Sequence, residues 1–146
     1  YPPETGAPQN RLSSLARYLS SFGNEVEIHT AMPNYPKYEI YPDYKGKRYY
    51  REIINGITVH RSSIFVSKST GLMPRLINYF SFVTSAWYSA AKRISPVDII
   101  ICESPPLFLG ITAVMLKRRW KCKLVFNVSD LWPESAEKWA SSKTGS

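Results

Sequence analysis

The chain has 146 residues, with 19 Lys+Arg against 11 Asp+Glu and a net charge of +8, which is one domain's worth of chain. Its 44% hydrophobic and 14% aromatic content excludes a disordered polyelectrolyte and gives enough apolar surface for a core. Two cysteines, Cys102 and Cys122, and two histidines, His29 and His60, exclude a disulfide framework and a four-ligand zinc site, and they fit a reducing cytosol with no structural metal. The basic balance points to an anionic partner (nucleic acid, a phosphate-bearing small molecule or an acidic membrane face) or to a solvated basic surface.

The opening YPPETGAPQNR is a Pro/Gly turn cluster leading into Leu12, Leu15, Ala16, Leu19 and Phe22 at helical spacing, with Gly23 as the stop. EVEIHT, residues 25–30, alternates as a strand does. From Met32 to Arg51 periodicity vanishes, and this stretch holds six of the ten tyrosines and five basic against two acidic residues. It is expected to be a long functional or mobile loop. Asn55-Gly56 between β-branched runs predicts a type I′ hairpin.

Gly71 to Ile94 carries a 3.6-residue apolar stripe with Pro74 in its first turn, which predicts a helix. Its uncharged stretch, Leu76 to Ala91, is shorter than the ~20 residues of a membrane span. VDIIICE (97–103) and LVFNV (124–128) read as strands buried on both faces, with an apolar helix from Phe108 to Leu116 and a basic exit, KRRWKCK, between them. Helices alternating with buried strands predict a Rossmann-like, doubly wound parallel α/β sheet. In such a sheet the first Gly-containing turn normally follows a central strand. None precedes Tyr1, and KWASSKTGS closes on no element, so the chain is expected to be truncated at both ends.

Ligands of open α/β sheets bind beyond the carboxyl ends of the strands, which singles out four turns. Gly6-Ala7-Pro8 with Asn10 and Arg11 is either a phosphate-facing helix start or an ordinary tight turn. Asn34 and Tyr35 in AMPNYP could hold a sugar or simply connect. Glu103 in ESPP and Asp130 in SDLWP each put an acid at a strand end, as a reactive group or as a helix cap. No glycine pair has G-x-G spacing, no P-loop exists, and no D-x-D pair is present to hold a metal with a nucleotide diphosphate. A nicotinamide enzyme is thereby disfavoured. Cys102 reads as an inert core residue.

Together, YPPETGAPQNRLSSLARYL, EVEIHTAMPNYP, ESPPLF and FNVSDLWPES resemble, in order, the N-terminal half of retaining, GT-B-fold glycosyltransferases of family 4, notably bacterial O-antigen and capsule enzymes. The resemblance implies an acceptor-side domain whose partner half, a C-terminal donor-binding domain, lies outside residues 1–146. It implies a nucleotide-sugar donor, UDP-linked, with Gly6 and Ala7 against its diphosphate and no metal or other cofactor. Asn10, Arg11, Asn34 and Tyr35 would hold the acceptor, and Glu103 and Asp130 would face the reacting sugars, although relatives often carry a histidine near the position of Asp130. The acceptor would be a polyprenyl-phosphate-linked glycan. Lys45, Lys47, Arg48, Tyr49 and Tyr50 would then meet an anionic membrane surface, with the enzyme peripheral on the cytoplasmic face of the membrane. Without the other half no turnover is expected. The alternatives are a basic nucleic-acid-binding module without catalysis and a purely structural module. The clustering of charge in the tyrosine-rich stretch and at Lys117 to Lys123 favours a phosphate or lipid partner over a nucleic-acid groove.

Overall fold

A computed structural model describes residues 1–69, 71–104 and 108–128. They divide into two compact units, with the boundary between Ser95 and Pro96.

The first unit begins with helix α1 (Ala7–Ser21), started by Pro8 in its first turn. It ends where Gly23, at φ 83°, returns its N–H to the Ser20 carbonyl, since a left-handed residue after a helix is easiest for glycine. Strands β1 (Glu27–Ala31), β2 (Tyr49–Ile54) and β3 (Ile57–Ser62) form a sheet in the order β1-β3-β2. β1 and β3 are parallel and β2 and β3 antiparallel. The predicted hairpin is present: Asn55 and Gly56 both have positive φ, 51° and 78°, as a type I′ turn requires. Helix α2 (Leu72–Arg93) follows.

Alternation along β3 sorts its side chains between two layers. Ile57 and Val59 pack with Leu12 and Ala16 of α1 and Ile28 of β1. On the opposite face lie His60 and Ser62, and there His29 meets Phe82 of α2, ring centroids 6.5 Å apart. Helices therefore cover both faces of this sheet. The α1 stripe is narrower than the sequence suggested, because Leu15 and Phe22 are exposed.

The second unit contains β4 (Ile99–Ser104), helix α3 (Leu109–Trp120) and β5 (Lys123–Val128), with β4 and β5 parallel. The basic run expected to leave the helix lies inside its last turns, where Lys117, Arg118 and Arg119 face the negative end of the dipole. A Cβ on Gly110 would lie 3.2 Å from the Phe126 ring, so glycine allows α3 to approach β5. The chain is α/β with parallel strand pairs, as expected. The antiparallel strand β2 is contributed by the hairpin.

Among the described residues no helix is long and apolar enough to cross a membrane.

Candidate functional site

The carboxyl edge of the first sheet is where the turn opening α1 meets the turn leaving β1. Gly6 caps α1 at φ 158°, ψ 168° without a side-chain cap, a backbone region that is essentially glycine's own. Its carbonyl accepts the Asn10 N–H at 3.0 Å. The first amides of such a helix have no intrahelical partner and favour an anion. Asn10 and Arg11 are exposed on the first turn of α1.

Glu4 joins this turn to the next one. Its Oε1 accepts the backbone N–H of Asn34 at 2.8 Å and of Tyr35 at 2.9 Å. The Asn34 side chain donates Nδ2–H to the Met32 carbonyl at 3.0 Å, and the Tyr41 hydroxyl donates to the Tyr35 carbonyl at 2.8 Å. Met32 and Pro33 are fully buried, while the Tyr35 ring is exposed and meets Tyr38 edge-on at 6.3 Å. The structure thus ties the Asn34 and Tyr35 amides to the unanticipated Glu4, two residues before Gly6.

Beneath this edge sits a buried charge. Arg61, wholly buried, donates Nε–H to Glu52 Oε1, Nη2–H to the Pro2 carbonyl and Nη1–H to the Ala31 carbonyl at 3.3 Å. The Tyr44 hydroxyl donates to both Glu52 oxygens at 3.1 Å, and the Arg61 guanidinium lies 5.2 Å from the Tyr44 ring centroid. Burial, followed by that bond to Glu52, raises the Tyr44 pKa. One arginine thereby fixes the chain before α1, the end of β1 and the hairpin.

On the other face, His29 Nε2 and Ser62 Oγ share a hydrogen bond of 2.7 Å. Burial, and then repulsion from His60, hold the His29 pKa down at about 4. His60 Nε2 is 3.0 Å from Glu27 Oε2, and its Nδ1 is 2.6 Å from the Tyr49 hydroxyl. A carboxylate only accepts, so in the neutral ring Nε2 carries the proton and Tyr49 donates to Nδ1. Burial raises the Tyr49 pKa.

The segment expected as a loop through Arg51 is shorter and better held. A 3-10 turn occupies Pro42–Tyr44, Tyr44 is buried, and Tyr49, Tyr50 and Arg51 belong to β2, because alternation resumes where β3 offers backbone partners. Lys45, Lys47 and Arg48 remain exposed. Lys47 Nζ sits 3.8 Å from the Tyr50 ring centroid, a cation–π contact.

In the second unit, Glu103 is the penultimate residue of β4, and its Oε2 accepts Nδ2–H of Asn127 at 2.7 Å. Burial, with Glu103 adding to it, pushes the neighbouring Cys102 thiol up to about 11, so it is no nucleophile near neutral pH. Asp130 lies outside the described residues. Among those described, no cluster of three or more His, Cys, Asp or Glu is arranged to hold a metal.

Sequence reasoning missed Glu4, Glu52 and Arg61. Arg61 had a readable signal: it occupies the apolar-face position after Ile57 and Val59, where a charge is buried unless the strand ends. The Asn-Gly register then sets Glu52 opposite Val59, on the diagonal from Arg61.

No solved structure matches this chain. It is 30% identical over 132 residues to a protein of Escherichia coli (strain K12) named as a colanic acid biosynthesis glycosyl transferase, WcaI. The match covers 89% of this chain and 32% of that relative, so the chain spans about a third of the curated relative's length. A family model described as "Glycosyl transferase 4-like domain" matches residues 6–143. The chain belongs to the glycosyl transferase 4-like domain family.

Proposed function

We propose that this chain is the acceptor-side half of a retaining, GT-B-fold glycosyltransferase. In this reading it moves a hexosyl or N-acetylhexosaminyl group from a UDP-linked sugar to a polyprenyl-phosphate-linked glycan during cell-surface polysaccharide synthesis. The enzyme works on the cytoplasmic face of the membrane, and a second domain binds the donor.

The observation that carries this reading is the double hydrogen bond from Asn34 and Tyr35 to Glu4. It makes one rigid edge of two turns at the carboxyl ends of the strands, where α/β sheets take their ligands, and leaves the Tyr35 ring free to stack on a sugar. The Gly6 and Ala7 amides, at the positive end of α1, face the departing diphosphate and stabilise its charge without a metal. Asn10, Arg11 and Asn34 supply polar contacts to the acceptor. Retaining transfer passes through an oxocarbenium-like state, and Glu103 and Asp130 are the carboxylates assigned to stabilise it. The relative named for colanic acid biosynthesis supports a polysaccharide context. Lys45, Lys47 and Arg48 meet anionic lipid, with Tyr49 and Tyr50 beneath them.

The test is to incubate the full encoded protein, in detergent, with radiolabelled nucleotide sugars and a polyprenyl-diphosphate-linked glycan. Label is expected in the lipid-extractable fraction. Absence of transfer from every UDP-sugar offered would overturn the reading.

A further inference from the structure

Helix α2 changes character along its length. Its buried residues, Phe82, Val83, Ala86, Ser89 and Ala90, all lie in the second part. Ser85 Oγ bonds to the Ser63 carbonyl, and Ser81 Oγ accepts the Phe65 N–H at 2.8 Å, so these positions are level with the chain just beyond the end of β3. The preceding turns, from Leu72 to Phe80, therefore overhang the carboxyl edge of the sheet, the edge that also carries the Asn34 and Tyr35 turn.

None of those residues is buried, and four of the apolar ones are exposed: Leu72 is 73% exposed, Met73 64%, Ile77 46% and Phe80 44%, with nearby Phe65 at 47%, while Pro74 and Leu76 are half-buried. Met73, Ile77 and Phe80 follow i, i+4, i+7 spacing, one stripe of a helix. An apolar stripe of this kind on a water-facing helix marks an interaction surface.

Charge selects the occupant. The sequence has no Asp or Glu between Glu52 and Asp98; Lys68 and Arg75 adjoin the stripe in sequence, whereas Lys92 and Arg93 lie in the last turn of α2, against Tyr88 and Tyr49. The carboxylate that approaches is Glu39, whose Oε1 is 2.5 Å from Lys68 Nζ. An apolar stripe flanked by cations suits an anionic bilayer, whereas a second copy would bring like charges together.

We propose that the Leu72–Phe80 overhang is a membrane-docking face, its apolar stripe lying in the interface of an anionic leaflet and Arg75 and Lys68 at the phosphate level. This deepens the peripheral-membrane part of the reading above and rests on it. It also adds α2 to the lipid contact of Lys45, Lys47 and Arg48, whose neighbours Tyr49 and Tyr50 are engaged within the fold. The helix lies on the membrane and does not cross it.

The experiment is flotation of the full encoded protein with vesicles of phosphatidylcholine alone or mixed with phosphatidylglycerol, comparing wild type with Met73→Ser/Ile77→Ser. The wild type is expected to float with the anionic vesicles, and the double variant to lose binding by about ten-fold. A single Ile77→Trp variant provides a reporter should the double variant misfold: its introduced indole is expected to shift to the blue with anionic vesicles only. Unchanged flotation of a folded double variant, an indole emission unmoved by vesicles, or self-association abolished by the substitutions in place of lipid binding would each overturn the proposal. Flotation uses no donor sugar, so a failure of sugar transfer in detergent is read separately and bears on the enzymatic reading alone.

Discussion

Arg61 and Glu52 form an ion pair between neighbouring strands, with the guanidinium wholly buried and further held by the Pro2 and Ala31 carbonyls. A buried charge robbed of its partner keeps its desolvation cost and loses the compensation. Glu52→Ala is therefore expected to destabilise the fold by about 3–5 kcal/mol, whereas Arg61→Met/Glu52→Leu should cost distinctly less than Glu52→Ala. Urea unfolding of the three proteins checks the order, and equal losses would show that the pair carries no such imbalance.

His29 gives the fold a pH dependence of definite sign. Its pKa in the folded state lies at about 4, below the ordinary 6.5, so the unfolded chain takes up a proton first as pH falls. The stabilisation is complete above about 6.5, declines between there and about 4, and changes no further below. The span corresponds to at most about 3 kcal/mol. Subtracting the profile of His29→Gln from that of wild type removes the carboxylate contributions common to both. The difference should fall with pH across that window, and a flat difference would contradict the assignment.

How the sequence discloses this molecule depends on what each signal measures. Asn55-Gly56 is a local conformational demand, positive φ at two successive residues, so the hairpin and its register were readable directly. Helices α1 and α2 were legible for the same kind of reason, each being a periodic stripe with a local signal such as Pro74 or Gly23, whereas α3 was read from its apolar content and runs on to Trp120, past the expected Leu116. Glu4 was not legible, because its partners, the amides of Asn34 and Tyr35, are brought to it only by tertiary folding across thirty residues. The tyrosine-rich segment was readable only as a loop through Arg51: that the Tyr44 and Tyr49 hydroxyls bond to Glu52 and His60 inside the first unit depends on partners brought there by tertiary folding. Glu103 was singled out from its place near a strand end, whereas its partner Asn127 needs the parallel register Glu103↔Asn127.

Gly110 should tolerate almost no added volume. Gly110→Ala places a methyl at 3.2 Å from the Phe126 ring, offset by a better helix propensity of about 1 kcal/mol, and should be close to neutral. Gly110→Val is expected to cost about 1–3 kcal/mol through overpacking, partly recovered by Phe126→Leu. Thermal denaturation of the single and double variants reads the recovery, and strictly additive losses would contradict the contact.

Glu4→Ala removes the acceptor shared by two amides. The Asn34 and Tyr35 amide protons are expected to exchange with solvent about ten-fold faster or more, matching a loss of about 1.5–3 kcal/mol for bonds to a charged group, while amides in β3 keep their protection. Exchange followed by NMR separates this local loosening from global unfolding, in which β3 would lose protection as well.

The acceptor-side assignment stands most directly on Tyr35. In the full encoded protein, initial rates of sugar transfer measured over a grid of donor and acceptor concentrations would be compared between wild type and Tyr35→Ala. The expected result is an acceptor KM raised about five- to thirty-fold, the loss of one stacking contact worth about 1–2 kcal/mol, with the donor KM unchanged. A raised donor KM with an unaltered acceptor KM would contradict the assignment.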